Sequence, residues 1–165
     1  MKTLKIFIAF LALSTGVAHA QFTKAELQVS GLTCSMCSKA TEKSLRTLGF
    51  INDIKVDLNR NLFLISFKKD AQVNLDQISK KVQSAGFFVN NLKTTYNFAN
   101  TKVDNNVFSY AGDTYYLVTP TSKELNGPVT FTIVDKGFAP AAVYKKYSSP
   151  VDNNGKPGRI YRIAI

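Results

Sequence analysis

The chain reads AELQVSGLTCSMCSKATEKSL from Ala25 to Leu45, and this stretch decides how the first half of the protein folds. Apolar and polar residues alternate up to Ser30, as they do in a half-buried strand. A helical pattern with charged residues on its outer faces follows. The chain's only two cysteines, Cys34 and Cys37, lie where the strand pattern gives way to the helix. Two thiols on one short loop are predicted to close on a single soft metal ion.

The same two periodicities predict six elements between about residues 24 and 92. The first strand has Ala25, Leu27 and Val29 inward, and the helix after it has Ala40, Leu45 and Leu48 inward and Gly49 at its end. The second strand contains Ile54, Val56 and Leu58, and the third runs from Leu62 to Phe67. The second helix has Leu75, Ile78, Val82 and Ala85 inward, and the last strand begins at Phe87-Phe88-Val89. Asn59-Arg60-Asn61 is a turn signal, and Gly86 suits the end of the second helix. A βαββαβ order implies an antiparallel sheet with both helices on one face, which is a ferredoxin-like α+β sandwich.

The cysteine loop also carries a family resemblance. Gly31-Leu32-Thr33-Cys34-Ser35-Met36-Cys37 resembles the GMTCxxC signature of heavy-metal-associated domains, the fold of copper chaperones and of the N-terminal modules of copper ATPases. Ala85-Gly86-Phe87 resembles the turn before the last strand in that family. The resemblance covers about half of the chain after the leader, and it implies exchange of metal with a donor or acceptor protein that has a thiol pair.

Two residues depart from the family pattern. Leu32 stands at the usual methionine and is expected to pack under the loop all the same. Phe87 stands where many bacterial members have tyrosine, so a hydroxyl near the metal site is missing.

The ligand set favours Cu(I). Soft thiolates select Cu(I), and two sulfurs suit its two-coordinate form. Hg(II) has the same preference, and exported mercury-binding proteins are similar in layout. A closed Zn(II) site needs four ligands, so it would require carboxylates or a second molecule. Met36 is expected to fill the core, with a ligand role as the minor alternative.

Residues 1–20 have the pattern of a secretory signal peptide. The pattern consists of a positive start (Lys2, Lys5), an apolar stretch (Ile6 to Leu13) and a small-residue end (Ala18-His19-Ala20). We therefore expect cleavage after Ala20, a periplasmic or secreted protein and no membrane span. Cleavage would lower the formal net charge from +10 to +8 and remove the only histidine.

Residues 97–165 differ in character from residues 21–96, and we expect them to form a second domain. Predicted strands are Val107 to Tyr110, Tyr115 to Val118, Val129 to Val134, Val143 to Tyr147 and Ile160 to Ile165, separated by turn signals at Ala111-Gly112-Asp113, Asn126-Gly127-Pro128, Lys136-Gly137 and Asp152-Asn153-Asn154-Gly155. This pattern predicts a small all-β unit, for which a barrel is one arrangement, and it indicates no role for the unit.

Surface charge points to proteins rather than nucleic acid. Lys39, Lys43 and Arg46 lie on the first predicted helix. They form either a solvated face or a docking surface for an acidic partner, and the resemblance implies the docking surface.

The open face of the predicted sheet would show Leu62 and Leu64, and two leucines do not form a platform on which RNA bases could stack. We expect these two leucines to be covered by the C-terminal unit or by a partner.

These features favour a metal carrier over an enzyme. Without His19 the chain has no imidazole for a Ser-His-Asp triad or a Cys-His pair. The favoured function is capture and transfer of Cu(I) through Cys34 and Cys37. Three alternatives stay open: a thiol-disulfide oxidoreductase that uses the same cysteines, a mercury-binding scavenger, and an interaction module whose metal site is vestigial.

Overall fold

The computed structural model describes residues 21–110, 112–119, 124–148 and 158–165. In chain order the elements are β1 (Gln21–Ser30), α1 (Ser35–Arg46), β2 (Ile51–Asp57), β3 (Leu62–Phe67), α2 (Leu75–Ser84), β4 (Phe88–Lys102), β5 (Val107–Tyr110), β6 (Asp113–Leu117), β7 (Glu124–Ile133), α3 (Ala141–Lys146) and β8 (Ile160–Ala164). None of the helices in these ranges has the length and apolarity needed to cross a membrane. The predicted signal peptide, residues 1–20, lies outside the described residues.

The first four strands and two helices form the predicted ferredoxin-like sandwich. The strand order is β2-β3-β1-β4, and every neighbouring pair is antiparallel. Ala25, Leu27 and Val29 are buried, while Lys24 and Glu26 face solvent. The alternation read from the sequence therefore places one face of β1 in the core, as predicted.

Helix α1 buries Leu45, and Leu48 just after the helix is buried as well, both as predicted, but Ala40 is not buried. Its buried residues are Ser38, Thr41 and Leu45, whereas Ala40 is exposed. Thr41 can be buried because its hydroxyl donates a hydrogen bond to the Cys37 carbonyl at 3.1 Å. The helix ends before Thr47, two residues ahead of the predicted Gly49.

Helix α2 and the β2–β3 hairpin follow the prediction with one exception. The side chain of Asn74 caps α2 by accepting from the Gln77 N–H at 3.0 Å, and Leu75, Ile78 and Val82 form the buried stripe. Leu58 is not part of β2, because it lies in the turn of the hairpin and is exposed.

The C-terminal strands continue the same sheet. β4 pairs with β7 along its length, and the complete order is β2-β3-β1-β4-β7-β8-β6-β5. Among the described strands this sheet is open, so it is not closed into a barrel. The boundary predicted between Tyr96 and Asn97 falls inside β4, which bonds to β1 on one side and to β7 on the other.

Two local predictions in this region are wrong. Residues 143–147, predicted as a strand, belong mostly to α3, because Pro140 presets the backbone for a helix start and two alanines follow it. Asn126-Gly127-Pro128, predicted as a turn, lies inside β7, where Gly127 has φ +70° next to a shift in the β4–β7 register. The predicted turn at residues 152–155 lies outside the described residues.

One hydrophobic core joins the two halves. Phe22 of β1 packs edge-on against Tyr96 of β4, with ring centroids 4.5 Å apart. Phe131 of β7 contacts Phe22 at 6.4 Å and Tyr115 of β6 at 5.9 Å. Because these rings come from strands on both sides of β4, the C-terminal region packs into the core of the sandwich.

The described residues of the C-terminal region leave the far face of the sheet uncovered. The added strands extend the sheet sideways, and Leu64 remains 38% exposed with Leu62 half-buried. The prediction that the C-terminal unit covers these leucines is therefore wrong.

Candidate metal site

The loop between β1 and α1 is shaped by its first two residues. Gly31 has φ +89°, a backbone conformation that glycine adopts without steric cost, and it lies against the Phe87 ring. Leu32 is 8% exposed and packs into the core, as predicted. The loop is thus anchored on its inner side while the following residues stay at the surface.

The start of α1 brings the two cysteines together. Cys34 is the N-cap residue, and its sulfur accepts from the Cys37 backbone N–H at 3.4 Å. The Sγ atoms lie 2.9 Å apart, well beyond the roughly 2.05 Å of a covalent disulfide, and both cysteines are free thiols. Cys34 is exposed and Cys37 is half-buried. This geometry lets one ion contact both sulfurs from the solvent side.

The local hydrogen bonds favour the anionic form of one thiol. The Cys37 side chain, followed by the Cys37 backbone N–H, lowers the pKa of Cys34 from its ordinary value. The unpaired N–H groups at the start of α1 favour negative charge at the same place. Since the thiolate is the form that binds metal, Cys34 is prepared to make the first contact with an incoming ion.

The flanks of the site differ from the prediction at one residue. Met36 is 69% exposed, so it does not fill the core. Phe88, which sequence reasoning did not connect with the site, is 70% exposed and pairs in register with Ser30 just before the loop. Its place could have been found from the sequence, because the first residue of β4 must pair near the last residue of β1.

Further protein ligands do not gather at the thiols. Within residues 21–110, 112–119, 124–148 and 158–165, no three His, Cys, Asp or Glu side chains come together as a metal-binding group. In that part of the chain the two sulfurs are therefore the protein ligands that this site offers to a metal ion.

The basic residues predicted on α1 fall into two groups. Lys39 and Lys43 are exposed. Arg46 is engaged within the fold, because its guanidinium pairs with Glu42 at 2.7 Å and donates to the Ile54 carbonyl at 2.8 Å. Arg46 braces α1 against β2, and the free charge on this helix comes from the two lysines.

Known proteins resemble the part of the chain that contains this site. Residues 26–88 match the family model described as the heavy-metal-associated domain. A copper-transporting ATPase of Helicobacter felis is 29% identical over 65 residues, which is 39% of this chain and 9% of that protein. A copper-transporting ATPase of Helicobacter pylori is 34% identical over 64 residues, 39% of this chain and 8% of that protein. The chain thus spans less than a tenth of the length of these curated relatives.

Solved structures match the same region. The yeast copper transporter domain CCC2A is 25% identical with a TM-score of 0.36, covering 41% of this chain and 90% of that chain. The CopZ metallochaperone is 22% identical with a TM-score of 0.38, covering 41% and 98%. Oxidized MerP from Ralstonia metallidurans CH34 is 22% identical with a TM-score of 0.35, covering 42% and 92%.

Proposed function

Residues 26–88 of this chain are a heavy-metal-associated domain, and on that premise we propose that the protein carries Cu(I) on the thiolates of Cys34 and Cys37. The observation that carries the proposal is the pair of free sulfurs 2.9 Å apart at the exposed start of α1. Two soft sulfurs suit Cu(I) best, and the similarity to copper-transporting ATPases agrees with that choice of metal.

Transfer follows from the small ligand set. An acceptor thiolate can approach the exposed side of the ion and bind it before either cysteine leaves, much as thiols exchange on a disulfide. Cys34, the more exposed sulfur, is the one that an incoming ligand meets first. The partner of this proposal is a donor or acceptor protein with its own thiol pair, and the protein transfers the ion without catalysing a reaction. The leader pattern of residues 1–20 supports a site of action in the periplasm or outside the cell.

Anaerobic metal titration of the reduced protein tests the proposal. We expect one tightly held Cu(I) per chain, with bound metal read by elemental analysis after gel filtration and affinity read by competition with a chromogenic Cu(I) chelator. Cys34→Ser and Cys37→Ser should each reduce the affinity by at least about a hundredfold, because a single sulfur is left. Thr33→Ser, a change in the same loop that keeps both sulfurs, is the matched control.

The same titration separates the metals. Hg(II) should also bind one per chain, because it shares the preference for two thiolates. Zn(II) should bind weakly, because two sulfurs leave its four-coordinate shell incomplete. Zn(II) binding tighter than Cu(I), or Cu(I) binding that survives loss of both cysteines, would overturn the assignment.

The lowered pKa of Cys34 favours one second candidate, a thiol-disulfide oxidoreductase. In that reaction the two cysteines would be oxidised to a disulfide while a substrate disulfide is reduced to two thiols. Reduction of insulin disulfides, with dithiothreitol to regenerate the dithiol, measures this activity. Turnover well above that of dithiothreitol alone, together with weak Cu(I) binding, would favour the enzyme.

A further inference from the structure

The end of the molecule that carries the thiols is cationic. We define this thiol end as residues 30–41, 58–61, 80–91 and 136–148, all of them described. These four segments contain no Asp or Glu, and their basic residues are Lys39, Arg60, Lys80, Lys81, Lys136, Lys145 and Lys146. The carboxylates that directly flank these segments are already paired: Glu42 with Arg46 and Asp57 with Arg60, each at 2.7 Å, and Asp135 with Arg162 at 3.1 Å. Arg60 is neutralised by Asp57, so the uncompensated positive charge that an approaching protein meets at this end comes from the six lysines.

The C-terminal region supplies part of this end and is fixed there by α2. The buried hydroxyl of Ser79 donates to the Gly137 carbonyl at 2.6 Å and accepts from the Gln83 side-chain amide at 3.1 Å. The next residue, Phe138, is fully buried and contacts the Tyr161 ring. With residues 137 and 138 held in this way, the segment that leads into α3 has a defined position beside the metal-binding domain.

This segment forms a cleft with the residues next to the cysteine loop. The cleft has a volume of about 260 Å³; Phe88, Pro140 and Ala141 supply apolar walls, and Ser30, Gln83 and Asn90 supply polar ones. Cavities of about 150 Å³ hold a benzene ring, so this cleft has room for one large apolar side chain. Phe88, at 70% exposure, provides an apolar surface at its edge.

We propose that the thiol end is a composite docking surface in which the C-terminal region provides one wall. Its partner is an acidic protein that places one large apolar side chain in the cleft between Phe88 and Pro140-Ala141. Lys145 and Lys146 of α3 attract the acidic surface. This inference rests on the proposed function, because docking at this place brings the partner to the two sulfurs. The C-terminal region would thus determine which partner binds, while Cys34 and Cys37 hold the ion.

A protein fits this surface better than a lipid bilayer does. The three exposed large apolar side chains of this end, Met36, Leu58 and Phe88, stand on different segments of the chain, and the cleft beside Phe88 is a volume suited to a single side chain. A bilayer would instead be matched by a contiguous apolar stripe with basic residues on the opposite face, as on an interfacial helix.

Peptide binding to the reduced, metal-free protein tests the docking surface without involving the ion. The probe is a fluorescein-labelled peptide with four glutamates around a central phenylalanine and no cysteine, and its binding is followed by anisotropy at low ionic strength. Two matched peptides carry glutamine in place of glutamate, or serine in place of phenylalanine. We expect the acidic phenylalanine peptide to bind tightest and to lose its advantage in high salt, because exposed charges are screened.

Variants locate the interaction. Lys145→Glu with Lys146→Glu should weaken binding of the acidic peptide about tenfold, since each exposed charge pair contributes up to about 1 kcal/mol. Lys68→Glu with Lys69→Glu makes the same change of charge at the opposite end of the sheet and should leave binding within about twofold. Phe88→Ser should remove the preference for phenylalanine over serine in the peptide.

Three results would overturn the inference: equal binding of the acidic and the glutamine peptides, equal effects of the two double variants, or a preference for vesicles of phosphatidylcholine and phosphatidylserine over the peptide through the same lysines. A protein that binds Cu(I) but fails these assays would lose the docking surface and keep the proposed function. A protein that passes them but binds no Cu(I) would lose the proposed function and keep the surface.

Discussion

At the scale of single residues, the chemistry depends on the hydrogen bonds that Cys34 accepts. Cys37 stabilises the thiolate of Cys34 twice, through its side chain and through its backbone N–H at 3.4 Å. The two cysteines are therefore not equivalent ligands. Cys34 provides the charge and the first contact, while half-buried Cys37 provides the hydrogen bonds and closes the site.

Removing the Cys37 side chain tests this division of roles. We expect Cys37→Ala to raise the pKa of Cys34 toward the ordinary thiol value of about 8.5, because the side-chain hydrogen bond is the largest cause of its lowering. Iodoacetamide alkylation of the reduced protein across pH gives the pKa of Cys34. Ser38→Ala, next along the helix, is the control. A Cys37→Ala variant in which the alkylation profile of Cys34 is unchanged would contradict this account.

At the scale of elements, sequence periodicity predicted the parts of the fold in which one face is buried. The alternation of Ala25, Leu27 and Val29 was a reliable signal because only one face of β1 meets the core. On α1 the pattern placed Leu45 and Leu48 correctly but took Ala40 as buried in place of its neighbour Thr41, whose hydroxyl is satisfied by a local hydrogen bond that a hydropathy pattern does not reveal. Residues 143–147 include a β-branched residue and two tyrosines, which favour a strand, yet they belong mostly to α3, whose N-cap residue is Pro140.

The position of the cysteine site could be predicted from the sequence because the site is local in the chain, whereas the residues that surround it could not be predicted. The cysteines lie two residues apart on one loop, so their approach is a local property of the chain. The cleft beside Phe88 brings together segments that are far apart in sequence, through tertiary packing of α2 on Gly137. Such contacts leave no periodic signal in a single sequence.

The contact between α2 and Gly137 is an interaction between elements, and it can be tested alone. Ser79→Ala removes the donor to the Gly137 carbonyl and should lower the free energy of unfolding by about 0.5–1.5 kcal/mol, because a hydrogen bond of the buried Ser79 hydroxyl to a half-buried residue is lost. Denaturant titration followed by circular dichroism measures the loss. Ser84→Ala on the same helix is the control, since Ser84 is exposed and bonds only to the Lys80 carbonyl one turn earlier. Equal losses in the two variants would show that the Ser79 contact does not fix the segment.

At the scale of the whole molecule, residues 26–88 and the C-terminal region share one sheet, and we expect them to unfold as one unit. β4 bonds to β1 and β7 at once, and the rings of Phe22, Phe131 and Tyr115 pack together across it. A perturbation on the C-terminal side should therefore reach the cysteine loop through the core.

Phe131→Ala provides that perturbation. Deleting a buried ring typically costs about 3–5 kcal/mol, and here the loss should lower the stability of both halves together. Two probes on the same denaturant series, alkylation of Cys37 for the loop and tyrosine fluorescence for the C-terminal region, should report one coincident transition at a lower midpoint. Phe88→Ala, at an exposed position, should move the midpoint little. Separate transitions for the two probes would show two independent domains.

The buried tyrosines of this core make the stability of the fold depend on pH. Burial, followed by the charge of Asp113, raises the pKa of Tyr115 far above its ordinary value. In the unfolded chain the pKa of a tyrosine is about 10. Because the pKa of Tyr115 is higher in the folded state, its contribution to stability is complete below about pH 10 and is lost as the pH rises further. Tyr115→Phe should therefore lose less stability between about pH 9 and 11 than the parent protein, as measured by denaturant titration at each pH. Tyr116→Phe keeps Tyr115 and is the control, and identical pH profiles for parent and Tyr115→Phe would contradict the argument.

X-ray absorption at the copper edge of the Cu(I)-loaded protein is the decisive measurement, because it counts the atoms that hold the ion. We expect two sulfur ligands per copper in the parent protein, and loss of this signature in the Cys34→Ser and Cys37→Ser variants. A first shell of nitrogen or oxygen, or four sulfurs supplied by two chains, would contradict this expectation.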